Sequence, residues 1–521
     1  MISFARTDTS LVGRWWWTVD RWTLLAVALL IAIGTLLTLA ASPAVAKIPV
    51  STMWPAVSWK GSDTLTERVA IIGLDSATPL LVERWRSDLP NLSALIDGGA
   101  AGRLRTTHPP ITVPAWTSMT SSKDPGQLGI YGFRNRRDHS YAAYRFANSL
   151  MVKEPRLWDL LGEAGKTSVV LGVPQTYPPR PIRGEMVSCF LTPNSESRYT
   201  HPPALRDEVE RITGGYQFDV DNFRTEDKAG LLERCYTKTE KHMTLVKHML
   251  ETRKWDFFMT VEMGVDRMHH GFWSYMDPSH RKYRAGNPFE DAILNYYRYI
   301  DGQLGEILDR MPAHTTVMVV SDHGARPMDG GLCFNEWLIK TGYLRLKRTP
   351  AVPVPLDRAE VDWGSTRAWG DGGYYGRCFV NLRGREPLGT VDPADYEKVR
   401  DDLIEEIEAI EGPDGKPLGS KAHRPEELFR ATNGVAPDLL VYFGDLAWRS
   451  VGSVGGGSIY TFDNDTGPDE ANHDWLGLVA IGGAGPLRGD LGEVSIYDVA
   501  PTVLSLMGQP TVPGMVGSAL C

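Results

Sequence analysis

The chain has 521 residues, of which 42% are hydrophobic, enough for one large α/β domain with insertions or for two domains. Its net charge of −9 at neutral pH gives no reason to expect binding to duplex nucleic acid. The five cysteines form no C-x-x-C pair, which argues against a zinc ribbon and against a disulfide-rich scaffold.

The first 46 residues predict a membrane segment. Residues 22–41 are 20 residues without a charge, long enough to cross the hydrocarbon core as a helix. Arginines precede this run, and Ala44-Val45-Ala46 resembles a signal-peptidase site. The length of the run favours an uncleaved anchor, followed by a tether at residues 47–66. We therefore expect the rest of the chain to be extracytoplasmic and membrane-anchored, or secreted if cleavage occurs after Ala46.

Between residues 67 and 521, predicted strands and helices alternate, as in a mostly parallel sheet with helices on both faces. Strands are predicted at residues 69–74, 167–172, 257–261, 315–320, 439–443 and 476–481. Helices are predicted at residues 91–98, 156–164, 228–251, 290–310, 396–410 and 497–507. Glycine and proline breaks between residues 332 and 431 indicate a cap or insertion over this sheet.

Asp75 and Thr112 are the first candidate functional residues. Asp75 follows the uncharged predicted strand 69–74, and working residues of an open α/β sheet lie beyond the carboxyl ends of its strands. Thr112 precedes Val113-Pro114, which suits the start of a helix, so Thr112 is interpreted as a helix cap. A hydroxyl there would also suit an oxyanion, although both residues can equally be structural.

Two aspartate–histidine pairs add metal-ligand chemistry. Asp266 and His270 are four residues apart, so on a helix they project the same way and could share an ion, although a helical salt bridge is the alternative. Asp322-His323 directly follows the predicted strand 315–320, at the expected edge of the sheet, and an aspartate that caps a helix is the alternative there. Carboxylate and imidazole together are the ligands of many catalytic zinc sites.

His473 completes the set of candidate ligands. It lies in a predicted polar loop just before strand 476–481, where a histidine is ordinarily a surface residue. The two aspartate–histidine pairs lack one nitrogen donor, and His473 can supply it. His269, next to His270, points elsewhere on a helix and receives no ligand role.

The order of these motifs resembles the alkaline phosphatase superfamily and, within it, the type I phosphodiesterase/nucleotide pyrophosphatase branch. The resemblance rests on Thr112-Val113-Pro114, on Ser321-Asp322-His323-Gly324 and on the closing stretch 497–504. It implies an alkaline-phosphatase-like sandwich and a metal-dependent phosphohydrolase that acts on phosphodiesters. The substrate would be a small-molecule, lipid or glycan phosphoester.

The resemblance also implies a role for each candidate residue. Two divalent ions, taken to be Zn²⁺, would be bound, and Thr112 would be the nucleophile that forms a covalent phospho-threonine. One ion would be held by Asp266, His270 and His473, and the other by Asp75, Asp322 and His323 with the Thr112 oxygen bridging toward it.

The chain departs from the well-known nucleotide pyrophosphatases near the nucleophile. Ala115 stands where those enzymes have an asparagine, and the following loop offers Arg134, Asn135 and Arg136 as candidate phosphate-binding residues. These arginines keep a phosphomonoesterase or phosphotransferase as an alternative function. A membrane-tethered binding protein with an inactive site is the alternative from another class.

A second resemblance concerns only the leader. Residues 15–46 resemble the first transmembrane span of the FtsW/RodA family of cell-division proteins, and nothing after Lys47 continues the resemblance. It therefore implies membrane targeting and no further function.

Overall fold

The computed structural model describes residues 67–521. The predicted anchor at residues 1–46 and the tether at residues 47–66 lie outside the described residues. Within the described part, no helix combines the length and the apolar composition that crossing a membrane requires.

The strands are numbered in chain order. They are β1 (Arg68–Leu74), β2 (Ala100–Arg105), β3 (Arg134–Arg136), β4 (Tyr144–Phe146), β5 (Ser168–Leu171), β6 (Gly184–Val187), β7 (Thr200–His201), β8 (Phe257–Glu262), β9 (Thr315–Val320), β10 (Gly324–Pro327), β11 (Gly330–Cys333), β12 (Val354–Pro355), β13 (Ala368–Asp371), β14 (Gly376–Val380), β15 (Lys421–His423), β16 (Leu439–Tyr442), β17 (Trp448–Val451), β18 (Ser453–Val454), β19 (Tyr460–Thr461), β20 (Ala471–Asp474), β21 (Leu476–Gly483) and β22 (Gly489–Ser495).

The α-helices are numbered in the same way. They are α1 (Pro79–Arg84), α2 (Pro90–Gly98), α3 (Thr112–Ser121), α4 (Pro125–Leu128), α5 (Leu157–Glu163), α6 (Leu205–Thr213), α7 (Lys228–Thr252), α8 (Gly264–Met276), α9 (Ala292–Leu308), α10 (Phe334–Lys340), α11 (Tyr396–Glu408), α12 (Pro425–Leu428) and α13 (Val499–Leu506).

A nine-stranded sheet in the order β22-β2-β21-β9-β1-β8-β5-β6-β7 forms the centre of the described domain. β1 is the middle strand and pairs in parallel with β8 and with β9. The predicted large α/β sheet is therefore present, and most of its pairings are parallel. The predicted strand 476–481 is an exception, because β21 runs antiparallel to both β9 and β2.

Side chains alternate between two apolar layers, one on each face of the central sheet. Ala70 and Ile72 of β1 face helices α7, α8 and α9. Val69 and Ile71 face helices α3, α5 and α13 on the opposite side. This double coverage explains why β1 is an uninterrupted apolar run rather than an alternating one.

A second sheet, antiparallel and four-stranded, has the order β13-β14-β16-β15. Three of its strands lie within residues 332–431, the predicted insertion, and β16 comes after that range. This sheet packs with α10 and α11 around its own apolar cluster, which extends from Leu332 to Val454. The prediction that strand 439–443 belongs to the central sheet is wrong, since β16 pairs with β14 and β15. The sequence of a short apolar strand does not indicate which of two sheets the strand joins.

Gly73 of β1 allows helix α3 to pack directly on the central sheet. A Cβ atom at this position would lie 2.4 Å from Cη2 of Trp116 and 2.8 Å from Cγ2 of Val261. Trp116 of α3 is fully buried, and its indole ring occupies the space that a side chain at position 73 would need.

We expect Gly73→Ala to lower the free energy of unfolding by about 1–3 kcal/mol, because the added methyl group overpacks this contact. The midpoint of chemical denaturation measures the effect. Gly98→Ala is the matched control, since a Cβ atom at Gly98 meets nothing within 4 Å. Equal midpoints for Gly73→Ala and the wild type would contradict this account of the packing.

Candidate metal-binding active site

Asp75 is a fully buried carboxylate directly after β1. Its Oδ2 accepts a hydrogen bond from Nε1 of Trp116 at 2.7 Å, whereas its Oδ1 has no hydrogen-bond partner among residues 67–521. Burial, together with the charge of Asp266, raises the pKa of Asp75 well above its usual value. The ionised carboxylate is therefore costly here unless a positive charge lies beside it.

Asp322 and His323 follow β9, the neighbour of β1, and so reach the same edge of the sheet. Oδ1 of Asp322 accepts a hydrogen bond from the backbone N–H of Ser76 at 3.2 Å, and its Oδ2 has no hydrogen-bond partner in the described chain. Burial and the charge of Asp75 raise the pKa of Asp322 well above its usual value. The carboxylates of Asp75 and Asp322 thus repel each other at a site where no bulk water screens their charges.

The imidazole of His323 is oriented as a neutral ligand. Its Nδ1 lies 2.9 Å from the carbonyl oxygen of Gly324, an arrangement that assigns the proton to Nδ1 and the lone pair to Nε2. Nε2 lies 3.3 Å from Oδ2 of Asp322 and 3.8 Å from Oδ1 of Asp75. Burial lowers the pKa of His323 to about 4, so the ring is neutral at physiological pH.

Asp266 and His270 lie one turn apart on α8, as their spacing predicts. Oδ1 of Asp266 is 3.2 Å from Nε2 of His270 and 3.8 Å from Nε2 of His473. Burial alone would raise the pKa of Asp266, but His270 and Arg267 outweigh it and place that pKa well below its usual value. Asp266 is therefore an ionised carboxylate, and the imidazoles of His270 and His473 both lie close to its Oδ1.

Both imidazoles beside Asp266 are held through Nδ1. Nδ1 of His270 lies 2.7 Å from Oδ1 of Asp469, and Nδ1 of His473 lies 2.6 Å from the carbonyl oxygen of Pro110. Each contact leaves Nε2 free to point toward Asp266. Burial lowers the pKa of His270, but Asp469 and Asp266 oppose it and raise that pKa to about 9.

The donor atoms form two adjoining groups, and within each group they lie within 4.8 Å of one another. One group is Asp75, Asp322 and His323, as expected. The other contains His323 with Asp266 and His473, while His270 contacts the same Asp266 oxygen from the other side. The rings of His323 and His473 stack with centroids 3.8 Å apart.

This arrangement fits divalent cations. One oxygen each of Asp75, Asp266 and Asp322 is buried and without a hydrogen-bond partner in the described part of the chain. Buried polar atoms are rarely left unpaired, so three in one cluster need an explanation. His323 and His473, whose pKa values are lowered by burial, present nitrogen lone pairs to this cluster. Carboxylate together with neutral imidazole is the donor set that zinc and similar ions prefer.

Thr112 lies at the start of α3, and its Oγ1 is 3.3 Å from Nε2 of His323. The interpretation of Thr112 as a helix cap is wrong, because Ile111 occupies the cap position and no side chain caps this helix. The hydroxyl faces the carboxylate–imidazole cluster instead. One turn later, Trp116 binds Asp75, so a single short helix positions both side chains.

His473 and Asp322 differ locally from their predicted settings. His473 lies in strand β20, not in a polar loop, and is almost fully buried. Asp322 caps no helix, because strand β10 follows it and pairs antiparallel with β20, with Ala325 opposite His473. This short ladder brings His323 and His473 side by side. His269 contacts Ser76 and Tyr297, and neither of the two groups of donor atoms includes it.

The candidate phosphate-binding residues are engaged elsewhere. Arg134 lies 3.1 Å from Asp371, and Arg136 is buried 3.4 Å from Glu386. The side chain of Asn135 closes its own turn by bonding the backbone of Tyr131 and Gly132. These contacts direct the three side chains to partners outside the aspartate–histidine cluster, and their role in binding phosphate stays a prediction.

Two supporting residues were not predicted from the sequence. Asp469 binds His270, and Tyr374 stacks on His473 and His270 with ring centroids 4.3 Å and 4.9 Å apart. Asp469 lies four residues before His473, and this closeness to a candidate ligand is the sequence feature that could have indicated its role. Tyr374 comes from the insertion, and nothing in its local sequence distinguishes it from a core tyrosine.

Comparisons with known proteins support a family assignment. The model of the type I phosphodiesterase/nucleotide pyrophosphatase family matches residues 69–469. The solved structure of human ectonucleotide pyrophosphatase/phosphodiesterase 5 is similar in fold, with a TM-score of 0.51 and 11% identity over 86% of this chain and 96% of that one.

A separate, short similarity links the chain to a curated protein. Over 45 residues it is 58% identical to the probable peptidoglycan glycosyltransferase FtsW of Caulobacter vibrioides. The match covers 9% of this chain and 12% of that protein. It therefore carries no information about the domain described above.

We expect Asp322→Asn to stabilise the metal-free protein, by about 1–3 kcal/mol, because it removes a buried charge that folding must otherwise desolvate. The sign follows from the raised pKa of Asp322, since a carboxyl group with a raised pKa in the folded state opposes folding at neutral pH. Added zinc should raise the unfolding midpoint of the wild type much more than that of the variant.

Asp301→Asn is the matched control for Asp322→Asn. Asp301 is also a buried carboxyl group with a raised pKa, but both of its oxygens accept hydrogen bonds, from Asn91 and Leu92. Its replacement should change the unfolding midpoint by the same amount with and without zinc, because Asp301 is not one of the proposed ligands. An identical response of the wild type and Asp322→Asn to zinc would remove Asp322 from the set of ligands.

Proposed function

Because the chain belongs to the type I phosphodiesterase/nucleotide pyrophosphatase family, whose members hydrolyse phosphoric ester bonds, we propose that it cleaves phosphodiesters through a covalent phospho-threonine at a two-metal site. The observation that carries the proposal is the cluster of three buried carboxylates, each with one oxygen that accepts no hydrogen bond within residues 67–521, and the hydroxyl of Thr112 3.3 Å from His323 in the same cluster. The substrate is a small-molecule phosphoester.

The metal ligands are proposed from the two groups of donor atoms, with His270 added because its Nε2 lies 3.2 Å from Oδ1 of Asp266. Asp75, Asp322 and His323 would hold one ion. Asp266, His270 and His473 would hold the other, with Zn²⁺ as the ion that best suits mixed nitrogen and oxygen donors. Such ions, when bound, neutralise phosphoryl oxygens and lower the pKa of hydroxyl groups and water.

Thr112 is the group that attacks phosphorus. Its Oγ1 gives up its proton and forms a bond to phosphorus while the bond from phosphorus to the leaving oxygen breaks, and the departing alkoxide takes up a proton to leave as an alcohol. Water then cleaves the phospho-threonine, which releases a phosphomonoester and restores the hydroxyl. The chain prepares this geometry in advance, because Trp116 holds α3 to Asp75 and Pro110 holds His473.

The contacts of the arginines favour a diester over a monoester. A phosphomonoester carries one more negative charge than a diester and needs an additional positive partner. Arg134 and Arg136, the candidates for that partner, are paired with Asp371 and Glu386 of the insertion. A binding protein with an inactive site is disfavoured as well, because each proposed ligand position carries a residue able to bind metal.

We expect the purified protein to hydrolyse bis-p-nitrophenyl phosphate, to lose this activity on chelation and to regain it with zinc. Thr112→Ala should lower turnover by orders of magnitude because the attacking oxygen is gone. Thr112→Ser keeps an oxygen and should retain part of the rate, with a loss that reflects its freer side chain.

Bound zinc, measured in each variant, is the control for the Thr112 experiment. A folded, zinc-loaded Thr112→Ala protein with nearly wild-type turnover would exclude Thr112 as nucleophile. Full activity in a metal-free preparation would refute the two-metal site. Greater activity on p-nitrophenyl phosphate than on the diester would favour the phosphomonoesterase.

We further propose that residues 22–41 anchor the catalytic domain on the extracytoplasmic side of a membrane, on the basis of their uncharged run and its basic flank. The protein should then fractionate with membranes, and a periplasm-dependent reporter fused to its C-terminus should be active. A mature N-terminus at Lys47 would show that the leader is cleaved, and soluble cytoplasmic full-length protein would contradict the proposal.

A further inference from the structure

Tyr374 joins the insertion to the proposed metal ligands. The residue is half-buried, and its ring stacks on His473 at an interplanar angle of 30° and on His270 at 20°. A tyrosine face against two ligand imidazoles limits how far either ring can tilt. The residue therefore contacts both histidines that face Asp266.

The backbone around Tyr374 fixes the direction of its side chain. Gly373 exchanges two hydrogen bonds with Ser450 of β17, at 2.8 Å and 2.9 Å. The neighbouring Gly372 allows this approach, because a Cβ atom there would lie 2.6 Å from the backbone nitrogen of Gly452. The residue just before Tyr374 is thus tied to β17 by a pair of backbone hydrogen bonds.

The hydroxyl of Tyr374 reaches the carboxylate that supports His270. It donates to Oδ2 of Asp469 at 3.1 Å, and Nε of Arg224 donates to the same oxygen at 2.9 Å. Arg449, which lies next to Ser450 on β17, is 3.9 Å from that oxygen. The other oxygen of Asp469 remains directed at Nδ1 of His270.

We propose that Tyr374 is a positioning residue for the proposed metal site and that the insertion thereby contributes to its affinity for zinc. The hydroxyl fixes Asp469, Asp469 fixes the tautomer and tilt of His270, and Nε2 of His270 is left facing Asp266. This inference rests on the two-metal site proposed above, and it assigns to Tyr374 no contact with substrate.

Tyr375 provides a matched control. It is the next residue, it is more deeply buried than Tyr374, and its hydroxyl donates to the carbonyl oxygen of Tyr131 at 2.5 Å. That hydrogen bond joins the insertion to the loop after α4 and involves no proposed ligand. Tyr375→Phe therefore removes a buried tyrosine hydroxyl from the same segment without disturbing Asp469.

The test measures zinc affinity of the full-length protein by competition with a chromogenic chelator. Tyr374→Phe keeps the ring but removes the hydroxyl, and it should weaken zinc binding by about 10-fold. Tyr374→Leu removes the stacking as well and should approach a loss of about 100-fold. Tyr375→Phe should bind zinc as the wild type does, even where its unfolding midpoint falls.

The zinc-dependent rise in the unfolding midpoint is the second measurement, and Tyr374→Phe should reduce it while Tyr375→Phe should not. Wild-type zinc affinity in Tyr374→Phe, or an equal loss in both variants, would overturn the inference and leave the metal site standing. A wild-type protein that binds no zinc would overturn the metal site and this inference together.

Discussion

The concentration of negative charge beneath α3 is the constraint on which the rest of the site depends. Asp75, Asp266 and Asp322 are buried together, and each keeps one oxygen without a hydrogen bond in the described chain. Burial penalises such charges strongly, and hydrogen bonds from Trp116, Arg267 and Ser76 satisfy only the other oxygens. Cations bound at the proposed metal site would offset this cost.

The sheet explains how distant residues assemble into that arrangement. β1, β8 and β9 are adjacent and parallel, so the residues that follow them meet at one edge. The β10–β20 ladder then adds His473 from a segment about 150 residues further along. Backbone hydrogen bonds, not flexible loops, thus set the spacing of the imidazoles, which is a requirement for a preorganised catalytic site.

Much of this could be predicted from the sequence, for identifiable reasons. Uncharged runs before Asp75 and Asp322 mark buried strands, and the spacing of Asp266 and His270 is correct for one helical face. The direction of β21 and the sheet to which β16 belongs could not be predicted, because both depend on pairing with strands far away in the chain. The same holds for Asp469 and Tyr374, whose roles arise from contacts that have no local pattern. Arg134 and Arg136 were predicted to bind phosphate but contact acidic residues instead, and the sequence could not reveal this because those partners lie more than 200 residues away.

The packing of Gly73 against Trp116 has an evolutionary consequence. A side chain at position 73 would displace the indole ring, and a smaller residue at position 116 would remove the donor that holds Asp75. A substitution at either position alone would therefore disturb the alignment of the Thr112 hydroxyl. In related chains we therefore expect the two positions to be inherited as a pair, with any replacement of one accompanied by a compensating change in the other.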